Sequence, residues 1–109
     1  MKALRFLGSA LDDLRAFPET LRRDVGYQLD KIQNGLAPSN WKVMPTVGKG
    51  AYEIRVRDET GAFRVIYVAK FAEAIYVLHC FQKKTEKTAK ADLNIAMKRY
   101  GDLLKERDR

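Results

Sequence analysis

Residues 50–82 read GAYEIRVRDETGAFRVIYVAKFAEAIYVLHCFQ, and this stretch decides the fold. In its first part apolar and charged side chains alternate, with Tyr52, Ile54 and Val56 on one face and Glu53, Arg55 and Arg57 on the other. A period of two is typical of a half-buried strand. The turn-rich residues 58–61 lead into FRVIYVAKF, and residues 72–74 lead into IYVLHCFQ. The stretch therefore predicts three antiparallel strands joined by tight turns.

The turn at residues 58–61 also predicts the register of the first two strands. It places Arg55 and Arg64 opposite each other, on the face that carries Glu53, whereas a slip by one residue would separate them. Two adjacent guanidinium groups repel unless a carboxylate or a bound anion lies between them, and arginine grips phosphate with two donors. The pattern is consistent with a phosphate site, or with a surface ion network that Glu53 bridges.

The residues before these strands predict one more strand and two helices. Residues 2–7 are a short strand that ends at Gly8, and Ser9 can cap a short first helix. Pro18 fits the first turn of a second helix, which Asn34 and Gly35 close. The apolar positions of that helix recur at helical spacing and are Leu21, Val25, Leu29 and Ile32. This pair of helices is predicted to pack on the sheet.

The remaining segments complete the predicted order of elements. Residues 36–50 hold two of the three prolines, two glycines and the only tryptophan, so they are interpreted as a loop. Thr85 or Thr88 can cap a final helix with apolar positions Ala91, Leu93, Ile95, Ala96, Tyr100 and Leu103. The order β-α-α-β-β-β-α predicts a single α+β domain over residues 1–109. Its twisted, mainly antiparallel sheet is flanked by two N-terminal helices and a C-terminal helix.

The charge of the chain indicates a polyanionic partner. There are 21 Lys and Arg residues against 14 Asp and Glu residues, which gives a net charge of +7 and a pI near 9.7. Such a surface favours nucleic acid binding, although a domain can also be basic without that function. The position of the charges must decide between these two readings.

Several classes of chemistry and location are disfavoured. A single cysteine, Cys80, cannot form an intrachain disulfide and fits a reducing, cytoplasmic compartment. No apolar stretch approaches the roughly 18 residues of a membrane span, and no signal peptide is evident. One histidine and one cysteine do not supply a usual zinc site, and no phosphate-binding glycine loop or GxSxG elbow occurs. Metal-independent catalysis by charged side chains remains, with no cofactor.

Two features near the third strand carry candidate chemistry. His79 is placed at the end of this strand and can exchange a proton near neutral pH, or it is a packed residue in phase with Val77 and Phe81. The cluster Lys83, Lys84, Thr85 and Lys87 forms a basic corner before the final helix, which suits an RNA backbone or a solvated loop. The tyrosines of the strands either stack bases or pack in the core, and they are Tyr52, Tyr67 and Tyr76.

Three segments in this order resemble a known family. They are Tyr52-Glu53-Ile54-Arg55, Phe63-Arg64-Val65-Ile66-Tyr67 and His79-Cys80-Phe81-Gln82-Lys83-Lys84-Thr85. Trp41, Pro45, Ala96 and Arg99 also fit the pattern. The sequence is similar to the HigB-like, phage-associated branch of the RelE/ParE toxin superfamily. The resemblance implies the toxin of a type II toxin–antitoxin pair, a ribosome-dependent endoribonuclease that inhibits translation. The implied partners are mRNA on the ribosome and a cognate helix-turn-helix antitoxin, with no membrane and no small-molecule cofactor.

The same resemblance implies roles for individual residues. Arg64 matches the strand arginine that stabilises the scissile phosphate, and Lys83 or Lys84 matches the basic position after the last strand. Glu53 and His79 are the implied proton-transfer groups, or Glu53 only orients Arg55. The cations implied to bind RNA are Arg55, Arg57, Lys42, Lys49 and Lys87.

Two departures from the family pattern leave alternatives open. Many relatives have proline where this chain has Ala89, which shifts the expected start of the last helix. Tyr100 lies too far inside that helix to match the late catalytic tyrosine of RelE, so the acid and the base are not assigned. The superfamily also contains toxins that inhibit DNA gyrase and cut no RNA. A prophage remnant that retains only antitoxin binding is a further alternative.

Overall fold

A computed structural model describes residues 1–108 of the chain. Along the sequence it contains β1 (Ala3–Phe6), α1 (Ala10–Arg15), α2 (Glu19–Gln33), β2 (Trp41–Val43), β3 (Ala51–Asp58), β4 (Gly61–Val68), β5 (Ala74–Lys83) and α3 (Lys90–Arg107). The predicted α+β class and the order of the predicted elements are confirmed. One short strand, β2, is additional.

The strands form one mixed sheet in the order β1-β5-β4-β3-β2. β1 runs parallel to β5, and the other neighbouring strands are antiparallel. Each face of the sheet has its own core. The face under α1 and α2 buries a cluster that includes Leu21, Val25, Ile54, Val65 and Val77. The face under α3 buries a second cluster that includes Ile66, Leu78, Phe81, Ala96 and Tyr100. Burial on both faces explains why the central strands are almost continuously apolar.

The interpretation of residues 36–50 as a loop is wrong at one place. Trp41–Val43 form β2, which pairs antiparallel with Ile54, Glu53 and Tyr52 of β3. All three residues of β2 are exposed, and the strand lies at the edge of the sheet. A strand this short gives no measurable alternation in sequence, so only its pairing with β3 identifies it.

The ends of the helices agree with the sequence in part. Asn34 caps the C-terminal end of α2, and Gly35 follows with φ of +80°, as the pair Asn34 and Gly35 predicts. The predicted cap of α3 is wrong, because its N-cap residue is Ala89 and no side chain caps the helix. The Thr85 hydroxyl instead donates to the carbonyl of Lys87, a local turn contact that competes with capping.

The predicted register between β3 and β4 is confirmed. Arg55 lies directly opposite Arg64, and Asp58 lies opposite Gly61 across the turn. The Asp58 carboxylate stabilises this turn, since its Oδ1 accepts hydrogen bonds from the backbone amide and the hydroxyl of Thr60, at 2.8 and 2.6 Å. The tight turn fixes the pairing, and the pairing places both arginines on the α3 face of the sheet.

A β-bulge in β5 changes the face on which His79 lies. Ile66 pairs with His79, but the next residue of β4, Tyr67, pairs with Val77, so Leu78 is the extra residue. Val77 consequently packs under α1 and α2, whereas Phe81 packs under α3. The predicted common phase of His79 and Val77 is therefore wrong, and that of His79 and Phe81 is right. His79 also lies inside β5, which continues to Lys83, rather than at its end.

Candidate active site

A buried carboxylate lies between two arginines on the α3 face of the sheet. Glu53 is 2% exposed and Arg64 is 6% exposed. The Nε atom of Arg64 lies 3.3 Å from Oε1 of Glu53, and Nε of the half-exposed Arg55 lies 4.0 Å from the same oxygen. Glu53 thus bridges both arginines, as one of the two sequence interpretations requires. The network is buried, however, and is not an ordinary surface ion pair.

Burial changes the acidity of the two most enclosed members of this cluster. Desolvation raises the pKa of Glu53 above its ordinary value, although the charges of Arg64 and Arg55 oppose this shift. Desolvation also lowers the pKa of Arg64, and the negative charge of Glu53 partly offsets that effect. Both residues pay a desolvation penalty to be charged in this position. Perturbed groups of this kind are concentrated at functional sites.

Several buried polar atoms near this cluster lack a protein partner. Among residues 1–108, the buried side-chain atoms without a hydrogen bond are Glu53 Oε2, Arg55 Nε, Arg64 Nε and His79 Nδ1. The Nε–H of Arg64 is close to Glu53 but is not aligned with it as a hydrogen bond. Buried polar atoms in proteins are almost always paired. These four unpaired atoms all lie on one face of the sheet, and together they mark a place where a ligand can be bound.

His79 is held between β5 and the start of α3. Its Nε2 lies 2.8 Å from Oδ1 of Asp92, and its ring stacks on Phe81 with centroids 4.9 Å apart. Only 5% of the residue is exposed. Asp92 was not singled out in the sequence, where its only signal is an acid in the first turn of a helix. The contact with Asp92 uses Nε2 of His79, and Nδ1 is buried without a hydrogen-bond partner.

Further predicted cations surround Glu53 on the same face. Lys42 of β2 lies opposite Glu53, and Arg57 and Lys83 both pair with Ala62 of β4. The positive charges of Lys83 and Lys42 act on the Glu53 carboxylate and favour its ionised form. The structure therefore brings together a cationic face, defined here as Lys42, Glu53, Arg55, Arg57, Arg64 and Lys83.

Three other predicted cations lie outside the cationic face. Lys84 and Lys87 are exposed in the connection between β5 and α3, and Lys49 is exposed between β2 and β3. The carbonyl of Lys49 accepts a hydrogen bond of 2.5 Å from the Tyr100 hydroxyl, which ties this connection to α3. None of the three makes a side-chain contact with the cationic face within the described chain.

The tyrosines with a possible base-stacking role are mostly packing residues. Tyr52 and Tyr67 lie on the α2 face with ring centroids 5.8 Å apart, away from Arg64. Burial raises the pKa of Tyr67 to about 12. Tyr76 packs edge-on against Phe71, and its hydroxyl donates to Glu73. The positions of these tyrosines do not support base stacking beside the cationic face.

Metal-binding clusters and membrane-spanning helices are both absent from residues 1–108. No group of three or more side chains in this range is arranged to hold a metal ion. No helix in this range combines the length and apolar character that a bilayer crossing requires.

Arg99 of α3 supports the bulge that places His79 on the α3 face of the sheet. Its Nη1 donates to the carbonyl of Leu78 at 2.8 Å, and its Nη2 donates to the Ser9 hydroxyl at 3.0 Å. Leu78 is the extra residue of the bulge, so its carbonyl does not take part in the regular pairing between the strands. Arg99 therefore joins α3, the bulge and the start of α1.

We expect Arg99→Ala to lower the free energy of unfolding by about 1.5–3 kcal/mol, the usual effect of losing hydrogen bonds from a charged donor. Urea denaturation followed by circular dichroism measures this change. Lys98→Ala is the matched control, because Lys98 is exposed and solvent screens its ion pair with Asp102. Equal stability of the two variants would contradict the role assigned to Arg99.

Comparison with known proteins gives two findings. Residues 12–101 match the model of a family described as phage derived protein Gp49-like (DUF891). The fold matches that of a mutant of the E. coli toxin RelE in the free state, with a TM-score of 0.68 and 19% sequence identity over 90% of this chain and 96% of that chain. No curated protein sequence matches the chain. At this identity the structural match establishes the fold, and the family model establishes the family.

Proposed function

This chain belongs to the Gp49-like family of phage-derived proteins, a family of the RelE/HigB type, and from this premise we propose that it is a toxin that cleaves RNA. The family confirms the resemblance drawn from the strand motifs. The proposed partner is the antitoxin of a type II toxin–antitoxin pair, and the proposed substrate is mRNA on the ribosome in the cytoplasm. Neither a metal nor an organic cofactor is part of the proposal.

The observation that carries this proposal is the pair of arginines around a buried carboxylate with unpartnered atoms. Cleavage of a phosphodiester by the ribose 2′-hydroxyl needs a base, an acid and cationic stabilisation of the phosphorane-like transition state. Arg55 and Arg64 lie on neighbouring strands and have Nε donors without a protein acceptor. A phosphate bound between them would take those donors and relieve the repulsion between the two guanidinium groups.

We assign the base to Glu53 in this scheme. A general base works best when its pKa lies near the operating pH, and burial raises the pKa of Glu53 in that direction. Its Oε2 atom is buried without a hydrogen-bond partner among residues 1–108, and RNA that displaces the side chains over it would bring the 2′-hydroxyl within reach. The arginines keep the carboxylate ionised enough to accept that proton.

The other predicted residues take supporting roles. Lys83 and Lys42 lie at the two sides of Glu53 and would bind the RNA backbone, together with the exposed Arg57. Lys49, Lys84 and Lys87 would extend this contact beyond the cationic face as long-range charge. His79 would hold the first turn of α3 against the sheet, because its Nε2 is already engaged by the carboxylate of Asp92. We assign the acid that protonates the leaving oxygen to Lys83, because Lys83 lies on the cationic face and Lys84 does not.

The function is tested by inducing the protein in growing cells and mapping new 5′ ends of mRNA. We expect growth arrest with cuts that follow the codon period, since a ribosome presents mRNA one codon at a time. Purified protein added to programmed ribosomes should give the same cuts. DNA damage without codon-periodic cuts would instead identify a gyrase inhibitor and overturn the proposal.

A further inference from the structure

Three aromatic rings form a row across the α2 face at the edge of the sheet. Trp41 of β2, Tyr52 of β3 and Tyr67 of β4 lie on neighbouring strands, with ring centroids 5.5 and 5.8 Å apart. Exposure falls along the row, from 46% at Trp41 to 3% at Tyr67. The planes of the Trp41 and Tyr52 rings are 79° apart. An edge-to-face contact covers at most one face of the indole, so the outer end of the row can accept another planar group.

The row belongs to the lining of a groove of about 670 Å³, here called the aromatic groove. The remaining lining includes the C-terminal end of α2 and residues 35–38, among them Leu36 at 61% exposure. A volume of this size is in the range of sites that bind small organic groups. Tyr52 and Tyr67 add hydroxyl groups to the lining, and burial keeps the hydroxyl of Tyr67 protonated by raising its pKa to about 12. The aromatic groove therefore combines π-surface with hydrogen-bond donors, the combination that suits a heterocyclic base.

The charges around the aromatic groove favour an anionic ligand. Lys2 belongs to the lining, and Lys42 of β2 lies on the other side of the edge strand. Glu73 also belongs to the lining, but its carboxylate is paired with Arg107 and accepts a hydrogen bond from the Tyr76 hydroxyl. The net charge of +7 over the whole chain attracts anions in addition. A ligand that joins a planar base to phosphate fits both the groove and its charged surroundings.

The aromatic groove is continuous with the cationic face around a single strand. Side chains of a strand alternate between faces, so Lys42 lies beside Glu53 on the cationic face whereas Trp41 lines the groove. Neighbouring strands are about 5 Å apart, so the path from Arg64 on β4 across β3 to β2 is ~10 Å. An RNA strand with one phosphate at Arg64 can therefore place another phosphate at Lys42 and turn a base around the edge toward Trp41.

We propose that the aromatic groove holds one base of a single RNA strand whose backbone passes Lys42, with this base stacked on Trp41. The inference rests on the proposed function for the identity of the ligand as RNA. Every base has a π-face, so the groove grips the strand with little dependence on sequence. The base anchors the RNA on one face of β2 while its phosphates contact the other face, and this anchor holds the scissile phosphate against Arg64.

The experiment compares two nine-nucleotide oligomers of equal charge, one with a sequence of adenines and cytosines and one that lacks every base. Both carry 2′-O-methyl groups, so neither can be cleaved through the ribose 2′-hydroxyl. Trp41 is the only tryptophan, and we expect the oligomer with bases to quench its emission whereas the abasic oligomer does not. The abasic oligomer should also bind at least about fivefold more weakly, the usual effect of losing a base that stacks on an aromatic side chain.

Substitutions in β2 separate stacking from apolar contact and from charge. Trp41→Leu keeps apolar bulk without a π-face and should weaken binding of the oligomer with bases at least about fivefold, whereas Trp41→Phe should keep most of the affinity. Val43→Ala is the matched control, because Val43 is exposed on the same face of β2 but does not line the aromatic groove. Lys42→Gln should weaken both oligomers alike and reduce the salt dependence of binding by about one phosphate contact. Fluorescence anisotropy of end-labelled oligomers gives the affinities, and circular dichroism shows that each variant is folded.

The outcomes separate this inference from the proposed function. Equal affinity for the abasic oligomer, or full affinity of a folded Trp41→Leu variant, would overturn the inference, since charge alone would then explain binding. A change in Trp41 emission on raising the protein concentration without RNA would identify a second copy as the occupant and overturn it too. Base-dependent binding by a protein that cuts no mRNA on ribosomes would retain the groove and reject the ribonuclease. Cleavage by a protein without base-dependent binding would do the reverse.

Discussion

Arg64→Ala is expected to lower the rate of RNA cleavage by about 10²–10³-fold, the usual effect of removing one preorganised charge donor from a transition state. Arg64 is the most enclosed cation of the cationic face, at 6% exposure, and its position is fixed by pairing with Arg55 across the turn. A solvent ion cannot replace a donor held in this way. Cleavage of mRNA on programmed ribosomes, measured under single-turnover conditions, gives the change in rate.

The alanine variant also removes the main counter-ion of Glu53. A buried charge that loses its partner destabilises a protein by about 3–5 kcal/mol, so an inactive Arg64→Ala variant could simply be unfolded. The double variant Glu53→Gln with Arg64→Met leaves no buried charge in this pair, and comparing its rate with that of Glu53→Gln alone measures the loss of Arg64. Arg64→Lys keeps the charge but not the two-donor geometry and should retain intermediate activity. Full cleavage by a folded Arg64→Ala variant would show that Arg64 does not contact the phosphate.

The position of the two arginines was predictable from sequence for a physical reason. A short turn leaves one way to pair the strands without exposing an apolar face, and that pairing puts Arg55 opposite Arg64. The amphipathic repeat of α2 was equally clear, since Leu21, Val25 and Leu29 are all buried. Local periodicity predicts both features because each depends on neighbours in the chain.

The surroundings of His79 were not predictable in the same way. The run that contains it is apolar on both faces, so the sequence gives no sign of where the bulge at Leu78 shifts the alternation. The partner Asp92 is 13 residues away and is brought to His79 only by the packing of α3 on the sheet. β2 was missed because three exposed residues carry no period. Each of these features depends on tertiary contact, which a single sequence does not encode locally.

Glu53→Gln is expected to lower the rate of cleavage by about 10²-fold or more, because the amide is close in shape but cannot accept the proton of the 2′-hydroxyl. The matched control is Glu59→Gln, which makes the same carboxylate-to-amide change at an exposed residue of the turn between β3 and β4. It should leave the rate unchanged. If Glu53 is the base, the rate of the wild type falls at low pH as Glu53 becomes protonated. This fall should be absent from the Glu53→Gln variant.

The same substitution is expected to make the stability of the protein less dependent on pH in the range where Glu53 titrates. Burial raises the pKa of Glu53 in the folded protein above its ordinary value of 4.5, so the folded state holds this proton more tightly than the unfolded state does. As pH rises from about 4.5 through the folded pKa, the wild type loses stability that glutamine does not lose. Urea denaturation at pH 4.5 and 7.5 measures the difference between the two proteins.

Activity and stability together distinguish the two roles of Glu53. A base with a raised pKa gives a glutamine variant that is less active and whose stability, relative to the wild type, improves from pH 4.5 to pH 7.5. A carboxylate that serves only as the counter-ion of Arg55 and Arg64 gives a variant that loses stability, most strongly at the higher pH, because the arginines repel once their shared partner is neutral. The direction in which the stability difference changes with pH therefore tests the assignment of the base independently of any measurement on RNA.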